Sequence, residues 1–222
     1  MLQSATIKFL KDVNRNNTKE WFDANRKAYD NAKADFLQLV QQVIDTHAKK
    51  DEELASLLAK DCVFRINRDV RFSKDKSPYK NNFGASINRG GKKSIYAGYY
   101  FHCQPGESFV GGGLWIPAPN ELKKVRQEID YCYDEFSKTI SNKKFTGVYK
   151  ELYKGGDVSL SRPPKGYDDS NPAIEFIKLK SYLAMQPLSD AELTEKGLVK
   201  KVTTAFDALQ PMIKFINRGI EG

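Results

Sequence analysis

Three runs of strand-forming residues, 82–89, 94–103 and 108–116, follow one another with only a few residues between them. The links are Gly90-Gly91 and Gln104-Pro105-Gly106-Glu107, both turn-forming compositions. Runs joined this tightly pair with their neighbours, so an antiparallel meander is the strongest constraint on the fold. In the second run Ile95, Ala97, Tyr99 and Phe101 alternate with Tyr96, Gly98, Tyr100 and His102, which predicts two different faces. The face with the tyrosines and the histidine reads first as packing and second as a ligand floor. Gly111-Gly112-Gly113 interrupts the third run, where glycine marks a bulge or a close approach by a ligand or another backbone.

Helical spacing flanks the meander on both sides. Ile7, Leu10 and Val13 predict a short helix opened by Ser4 and broken at Asn14 to Asn17. Phe22, Tyr29, Ala32, Phe36, Val40, Val43 and His47 then form one stripe, predicting a single helix from about Asn17 to Lys49 with Asn17 as its cap and Glu20 three residues on. Leu54, Leu57 and Leu58 suggest a short helix, and Cys62 to Ile66 a strand with Val63, Arg65 and Asn67 on one face.

After the meander, Pro117 and Pro119 open a helix carrying Leu122, Val125, Ile129, Cys132, Phe136 and Ile140, with Arg126 beside the stripe, placed where it could reach inward but read first as exposed. Phe145 to Leu152 predicts a helix stopped by Gly155-Gly156, and residues 158–160 a brief strand. Asn171-Pro172 opens a helix to Lys178, and 181–188 reads as the last strand. In the C-terminal helical region Leu198, Val202, Phe206, Leu209, Ile213 and Ile216 keep their spacing, and Pro211 is expected to kink or divide it. The fold class is therefore α+β, a meander sheet packed by long amphipathic helices. With no linker, repeat or low-complexity stretch, residues 1–222 read as one domain.

Hydrophobic residues at 40% with 12% aromatics exclude intrinsic disorder. No apolar run approaches a bilayer span and the start lacks the apolar core of a signal peptide, which predicts a cytoplasmic protein without membrane attachment. Cys62, Cys103 and Cys132 are odd in number and widely spaced, so they read as core residues instead of a disulfide or zinc framework. The two histidines, His47 and His102, have no metal-spaced partner, and no dinucleotide or phosphate-loop motif occurs; no metal and no cofactor are expected.

The chemistry concentrates between Arg65 and Lys80. Arg65, Arg68, Arg71, Lys74, Lys76 and Lys80 stand against Asp69 and Asp75, a local charge of +4 within a chain of +8. Guanidinium forks match phosphate and carboxylate, so this stretch is the best candidate anion site. A second candidate is the rigid loop Ser161-Arg-Pro-Pro-Lys-Gly-Tyr-Asp168, which presents Arg162 and Lys165.

Asn16-Asn17 with Glu20-Trp21-Phe22, the block Arg68-Asp-x-Arg-Phe-Ser-x-Asp-Lys-x-Pro-Tyr-Lys80, Gly111-Gly-Gly113 and Arg162-Pro-Pro-Lys-Gly-Tyr-Asp168 together resemble an uncharacterised family of bacterial and fungal proteins, the domain-of-unknown-function family 2461. The likeness spans nearly the whole chain. It implies a mixed helix and sheet protein and no particular reaction.

The central block admits three readings. In the first, Arg65, Arg68, Arg71, Lys76 and Lys80, with Arg162 and Lys165, bind an anionic small molecule; Ser73 and Tyr79 orient it, and Asp69 or Asp75 holds an arginine or serves as a general base. In the second, the same cations bind nucleic acid with Phe72, Tyr79 and Trp21 as stacking surfaces. In the third, the block is an internal ion-pair network with no ligand. Catalysis and oligomeric state are left open.

Overall fold

A computed structural model describes residues 1–155 and 158–222. Gly156, half of the expected glycine helix stop, lies outside the described residues. The meander forms, with its second strand starting four residues later than expected after a short helical turn at Gly91–Lys93: β1 (Phe83–Ile87), β2 (Gly98–Cys103) and β3 (Ser108–Leu114) pair in sequence order, and β4 (Tyr182–Leu188) adds to β3. The four-stranded sheet is antiparallel, and the fold is α+β. By contacts the chain divides into two compact units. The first comprises Met1–Lys92, Tyr100–Val110 and Pro187–Thr204, and the second Lys93–Tyr99, Gly111–Gln186 and Ala205–Gly222. No helix among the described residues is long and apolar enough to cross a membrane.

The first unit begins with α1 (Ser4–Arg15), α2 (Lys19–Ala24) and α3 (Arg26–His47). The single helix predicted from Asn17 to Lys49 is thus two. At Asn25 the side-chain Nδ2 donates to Trp21 O at 2.8 Å, competing with the backbone for a helical carbonyl, and the backbone leaves the helical region. The cap is also not the one expected: Thr18, whose hydroxyl accepts from Trp21 N, starts α2. The apolar stripe itself is correct, since Phe22, Tyr29, Ala32, Phe36, Val40, Val43 and His47 are all buried. Phe36 on α3 stacks on Phe83 of β1 at 5.2 Å and Phe101 of β2 at 5.8 Å, which seats the helix on the inner face of the sheet.

The predicted strand 62–66 does not form as such. Cys62 closes a helical turn, α4 (Ala59–Cys62), and the next residues are joined to β1 only by an isolated bridge from Val63 to Ala85 and a bond from Phe64 N to Gly84 O at 3.0 Å. Val63 and Ile66 are both buried although strict alternation would separate them, because the segment twists out of the helical turn instead of continuing a flat ladder. Burial pushes the Cys62 and Cys103 thiols up to about 12, as inert core cysteines.

In the second unit the helix predicted through Ile140 is divided at Cys132 into α5 (Pro119–Tyr131) and α6 (Tyr133–Ser141), with Val125, Ile129 and Phe136 buried. The next helix, α7 (Lys143–Tyr149), is capped by Asn142 and ends at Lys150, whose φ of 65° terminates it before the glycines do. Residues 158–160 contribute an isolated bridge, Ser159 to Leu179, and α8 (Ile174–Ile177) is shorter than predicted.

After α9 (Asp190–Leu193) of the first unit, with its Ser189 and Glu192 capping box, the last helix, α10 (Leu198–Glu221), runs undivided through Pro211. A proline removes one helical hydrogen bond, and here the buried stripe on both sides of it keeps the helix in register. Within the second unit Asn217 on α10 accepts from Ala97 N at 2.8 Å and donates to Ala97 O at 3.2 Å.

Candidate anion-binding site

The block from Arg65 to Lys80 forms a hairpin with an irregular tip. Its neck is closed by Lys80 N donating to Ile66 O at 2.8 Å, Arg68 N donating to Pro78 O at 2.9 Å, and an antiparallel bridge between Asn67 and Tyr79. Asn17, expected as a helix cap, instead clamps the neck from outside. Its Nδ2 donates to Tyr79 O at 2.9 Å and its Oδ1 accepts from Tyr79 N at 3.0 Å, so one side-chain amide satisfies both backbone groups as a paired strand would. The Tyr79 ring lies flat on Phe22, with centroids 3.9 Å apart and planes at 12°. Three residues of the N-terminal motif region therefore cap and clamp the segment: Thr18 starts α2, Asn17 holds the Tyr79 backbone, and Phe22 holds its ring.

This geometry revises several assignments. Tyr79 is buried and cannot orient a ligand or stack on a base; its ring is part of the core. Trp21 lies beside Phe9, with centroids 6.2 Å apart. Arg68 pairs with Asp75 and reaches Ser73 Oγ at 3.3 Å. Arg71 holds Asp69 by two bonds, from Nε at 2.9 Å and Nη2 at 2.7 Å, with 75% of its side chain exposed. Both pairs lie inside the hairpin and join none of the helices, unlike a network that ties the loop to the rest of the fold.

The carboxylates are accordingly acids of low pKa. The Arg71 fork lowers that of Asp69, and Ser77, through its hydroxyl and amide, followed by Arg68, holds Asp75 far below the usual range. Asp75 accepts from the Ser77 amide at 2.9 Å, from the Ser77 hydroxyl at 2.7 Å and from Arg68, which ties the two sides of the tip together. Lys76 donates to Val70 O at 2.9 Å, and the Lys80 ammonium stands 5.6 Å from the Phe64 ring centroid. Arg65 and Lys74 make no hydrogen bond or ion pair among the described residues. At the extreme of the tip Phe72 is 94% exposed, with the Arg71 guanidinium 5.8 Å from its ring.

Arg162 and Lys165 belong to the second unit, exposed on the loop that begins after residue 160. Asp168 in that loop is occupied by Ser170, accepting from its amide at 2.8 Å and from its hydroxyl. Arg126 takes the inward course rather than the exposed one: it donates to Leu179 O at 3.0 Å. Its place four residues after Leu122 and three before Ile129 puts it beside the buried side of the helix, which is why the inward course was open to it.

The aromatic face of the sheet holds a chain of hydrogen bonds. Glu107 can only accept, so the Gln104 amide nitrogen faces it and Gln104 Oε1 faces His102 Nε2, 3.1 Å away. The proton therefore sits on Nε2, and Nδ1 accepts from the Tyr100 hydroxyl at 3.3 Å. Burial lowers the His102 pKa below its usual 6.5, against smaller upward pulls from Gln104 and Glu107. The unfolded chain then takes up this proton more readily than the folded one, so the stabilisation is complete above pH 6.5 and declines as pH falls through the folded value. The urea midpoint should drop between about pH 7.5 and 5.5. His102→Gln should shrink that drop, and an unchanged pH slope in the variant would refute the assignment.

Fold and site define a class: an α+β protein with a central antiparallel meander and a basic, aromatic-tipped hairpin clamped at its neck. The profile of the family described as conserved hypothetical protein (DUF2461) matches residues 5–215, and the chain belongs to that family. No curated protein and no solved structure matches it. Among the described residues no group of three or more His, Cys, Asp or Glu is arranged to hold a metal ion.

Proposed function

We propose that the first unit binds an anionic small molecule, bearing phosphate or carboxylate, on the hairpin between Arg65 and Lys80. The observation that supports this is the charge left after the hairpin's internal pairings. Asp69 and Asp75 are taken by Arg71 and Arg68, and Arg65, Lys74, Lys76 and Lys80 remain without a carboxylate partner among the described residues. Arg65 and Lys80 also act on each other. The Lys80 pKa is lowered first by burial and then by the Arg65 charge, so two like charges repel each other at the neck. A bound phosphate or carboxylate would relieve that repulsion, and Asp69 and Asp75 would keep Arg71 and Arg68 oriented beside it.

The test is calorimetric titration of inorganic pyrophosphate and of succinate into wild type and an Arg65→Ala/Lys80→Ala variant. Wild type should bind one of the two, and the variant should bind it at least about tenfold more weakly, the equivalent of losing roughly 1.4 kcal/mol. Equal affinity in both proteins would overturn the reading.

The exposed Phe72 with Arg71 at its ring favours a second reading, in which the tip binds single-stranded nucleic acid by one stacked base and backbone charge. On that reading a labelled oligonucleotide is retarded at low salt, the binding weakens steeply as salt is added, and Phe72→Ala abolishes it. No retardation of any oligonucleotide removes it.

A further inference from the structure

We propose that the tip of the hairpin, Phe72 with the cations around it, docks on the surface of an anionic phospholipid bilayer. Phe72 is 94% exposed. A phenyl ring left in water forfeits the hydrophobic stabilisation it would have under cover, and the hairpin does not fold back to shelter it. The tip is braced outward instead. Arg68 pairs with Asp75 across the loop, Lys76 Nζ donates to Val70 O at 2.9 Å, and the Asp69 carboxylate accepts from both the amide and the guanidinium of Arg71. With the neck closed by backbone bonds and clamped by Asn17, the ring stands at the end of a preorganised arm, so little ordering is needed on contact.

The charges lie where such a surface needs them. Arg71, whose side chain is 75% exposed, sets its guanidinium 5.8 Å from the centre of the Phe72 ring, and Lys74 and Lys76 are exposed beside it. The two acids of the tip are held by Arg68 and Arg71, and residues 65–80 keep a net charge of +4. An apolar ring with cations next to it matches the two layers of an anionic bilayer, charged headgroups outside and acyl chains beneath.

A bilayer suits this tip better than other acidic partners do. Single-strand binders stack successive bases on several rings, and of Phe72, Tyr79 and Trp21 the second is buried and the third lies beside Phe9. One ring is left for stacking. A protein partner needs a preformed complementary surface of roughly 800 Å² a side, whereas a fluid bilayer moulds itself around a single side chain.

The docking point is the tip and not the neck, so it does not rest on the small-molecule reading. Co-sedimentation with vesicles of phosphatidylcholine, alone or mixed with phosphatidylserine, tests it. Wild type should bind the mixed vesicles at least about tenfold more tightly than the neutral ones, and progressively less as salt rises from about 0.1 to 1 M. Phe72→Ala should weaken binding to mixed vesicles about tenfold with the urea midpoint unchanged, because the ring supports nothing in the fold. Phe72→Trp should keep the binding, and its fluorescence should shift to the blue and be quenched by acyl-brominated lipid beyond the response of wild type, whose Trp21 and Trp115 are the background. In the Arg65→Ala/Lys80→Ala background the ratio of affinities with and without the ring should equal that in wild type, whatever becomes of pyrophosphate or succinate binding. The proposal fails if mixed vesicles are not bound, if neutral vesicles are bound equally, if Phe72→Ala binds as tightly as wild type, or if brominated lipid does not quench Phe72→Trp. Retardation of an oligonucleotide that depends on Phe72, by a protein that leaves vesicles unbound, would overturn it in favour of nucleic acid.

Discussion

Gly113→Ala is expected to destabilise the protein by about 3 to 5 kcal/mol, from a forced overlap of about 1 to 3 kcal/mol together with backbone strain of comparable size. Gly113 has a φ of 121°, and a β-carbon there would lie 2.9 Å from the carbonyl carbon of Tyr182 on β4. The obstacle is backbone on a paired strand, which cannot swing aside as the end of a long side chain can. Gly111 faces β4 in the same way, 3.0 Å from the carbonyl carbon of Ala184. Gly111 and Gly113 therefore let β4 approach β3 on one side, and Gly112, where an added carbon would lie 2.8 Å from Tyr99 Cα, lets β2 approach on the other, so the close approach anticipated from sequence is by neighbouring backbone. Gly106→Ala is the control. It too has a positive φ, 81°, but no atom within 4 Å of the added carbon, so it should cost only about 1 kcal/mol. Urea denaturation of the two variants, followed by circular dichroism, measures the difference. Equal losses at Gly106 and Gly113 would mean that strain alone, and not strand approach, explains the triplet.

Phe22→Ala is expected to cost about 3 to 5 kcal/mol, the range for deleting a fully packed phenyl ring, and to release the basic hairpin as well. Phe22 is buried between Tyr79 at 3.9 Å, Tyr29 at 5.0 Å and Phe9 at 6.4 Å, centroid to centroid. Without it the Tyr79 ring loses its support, and the neck keeps its own backbone bonds and the Asn17 clamp but no longer rests on the core. Hydrogen exchange at the Arg68 and Lys80 amides, which close the neck, should therefore accelerate more than exchange in α3. Exchange that rises uniformly across the first unit would show that the ring stabilises the core without positioning the hairpin. If the hairpin binds an anion, the same variant should bind it more weakly although every cation is retained, because disordering the cations adds an entropic cost to binding.

Much of the architecture was legible in the sequence because it depends on local periods. The meander, the stripe from Phe22 to His47 and the stripe from Leu198 to Ile216 all follow from alternation or helical spacing, and burial of their apolar members enforces those periods. The family that the sequence motifs resembled is also the one whose profile matches residues 5–215. The breaks were less legible. Asn25 and Cys132 divide helices whose stripes continue across them, since a stripe reports which residues face the core and not whether the backbone between them stays helical. Pro211 errs in the other direction: the local rule says stop, and packing on both sides of it overrides the rule.

The candidate site divides along the same line. That cations gather between Arg65 and Lys80 is a property of the sequence alone, as is the excess charge their two carboxylates leave. Which of them are paired was decided by tertiary structure. Arg68 meets Asp75 only because the chain turns back between them, and Tyr79 becomes a core residue only because Phe22, far away in sequence, supplies the surface it packs on. Arg126 turns inward for a similar reason: the carbonyl of Leu179, more than fifty residues away, is brought to it by the fold. Spacing along a chain sets which face a side chain occupies, and the partner it finds there depends on long-range contacts that no local pattern encodes.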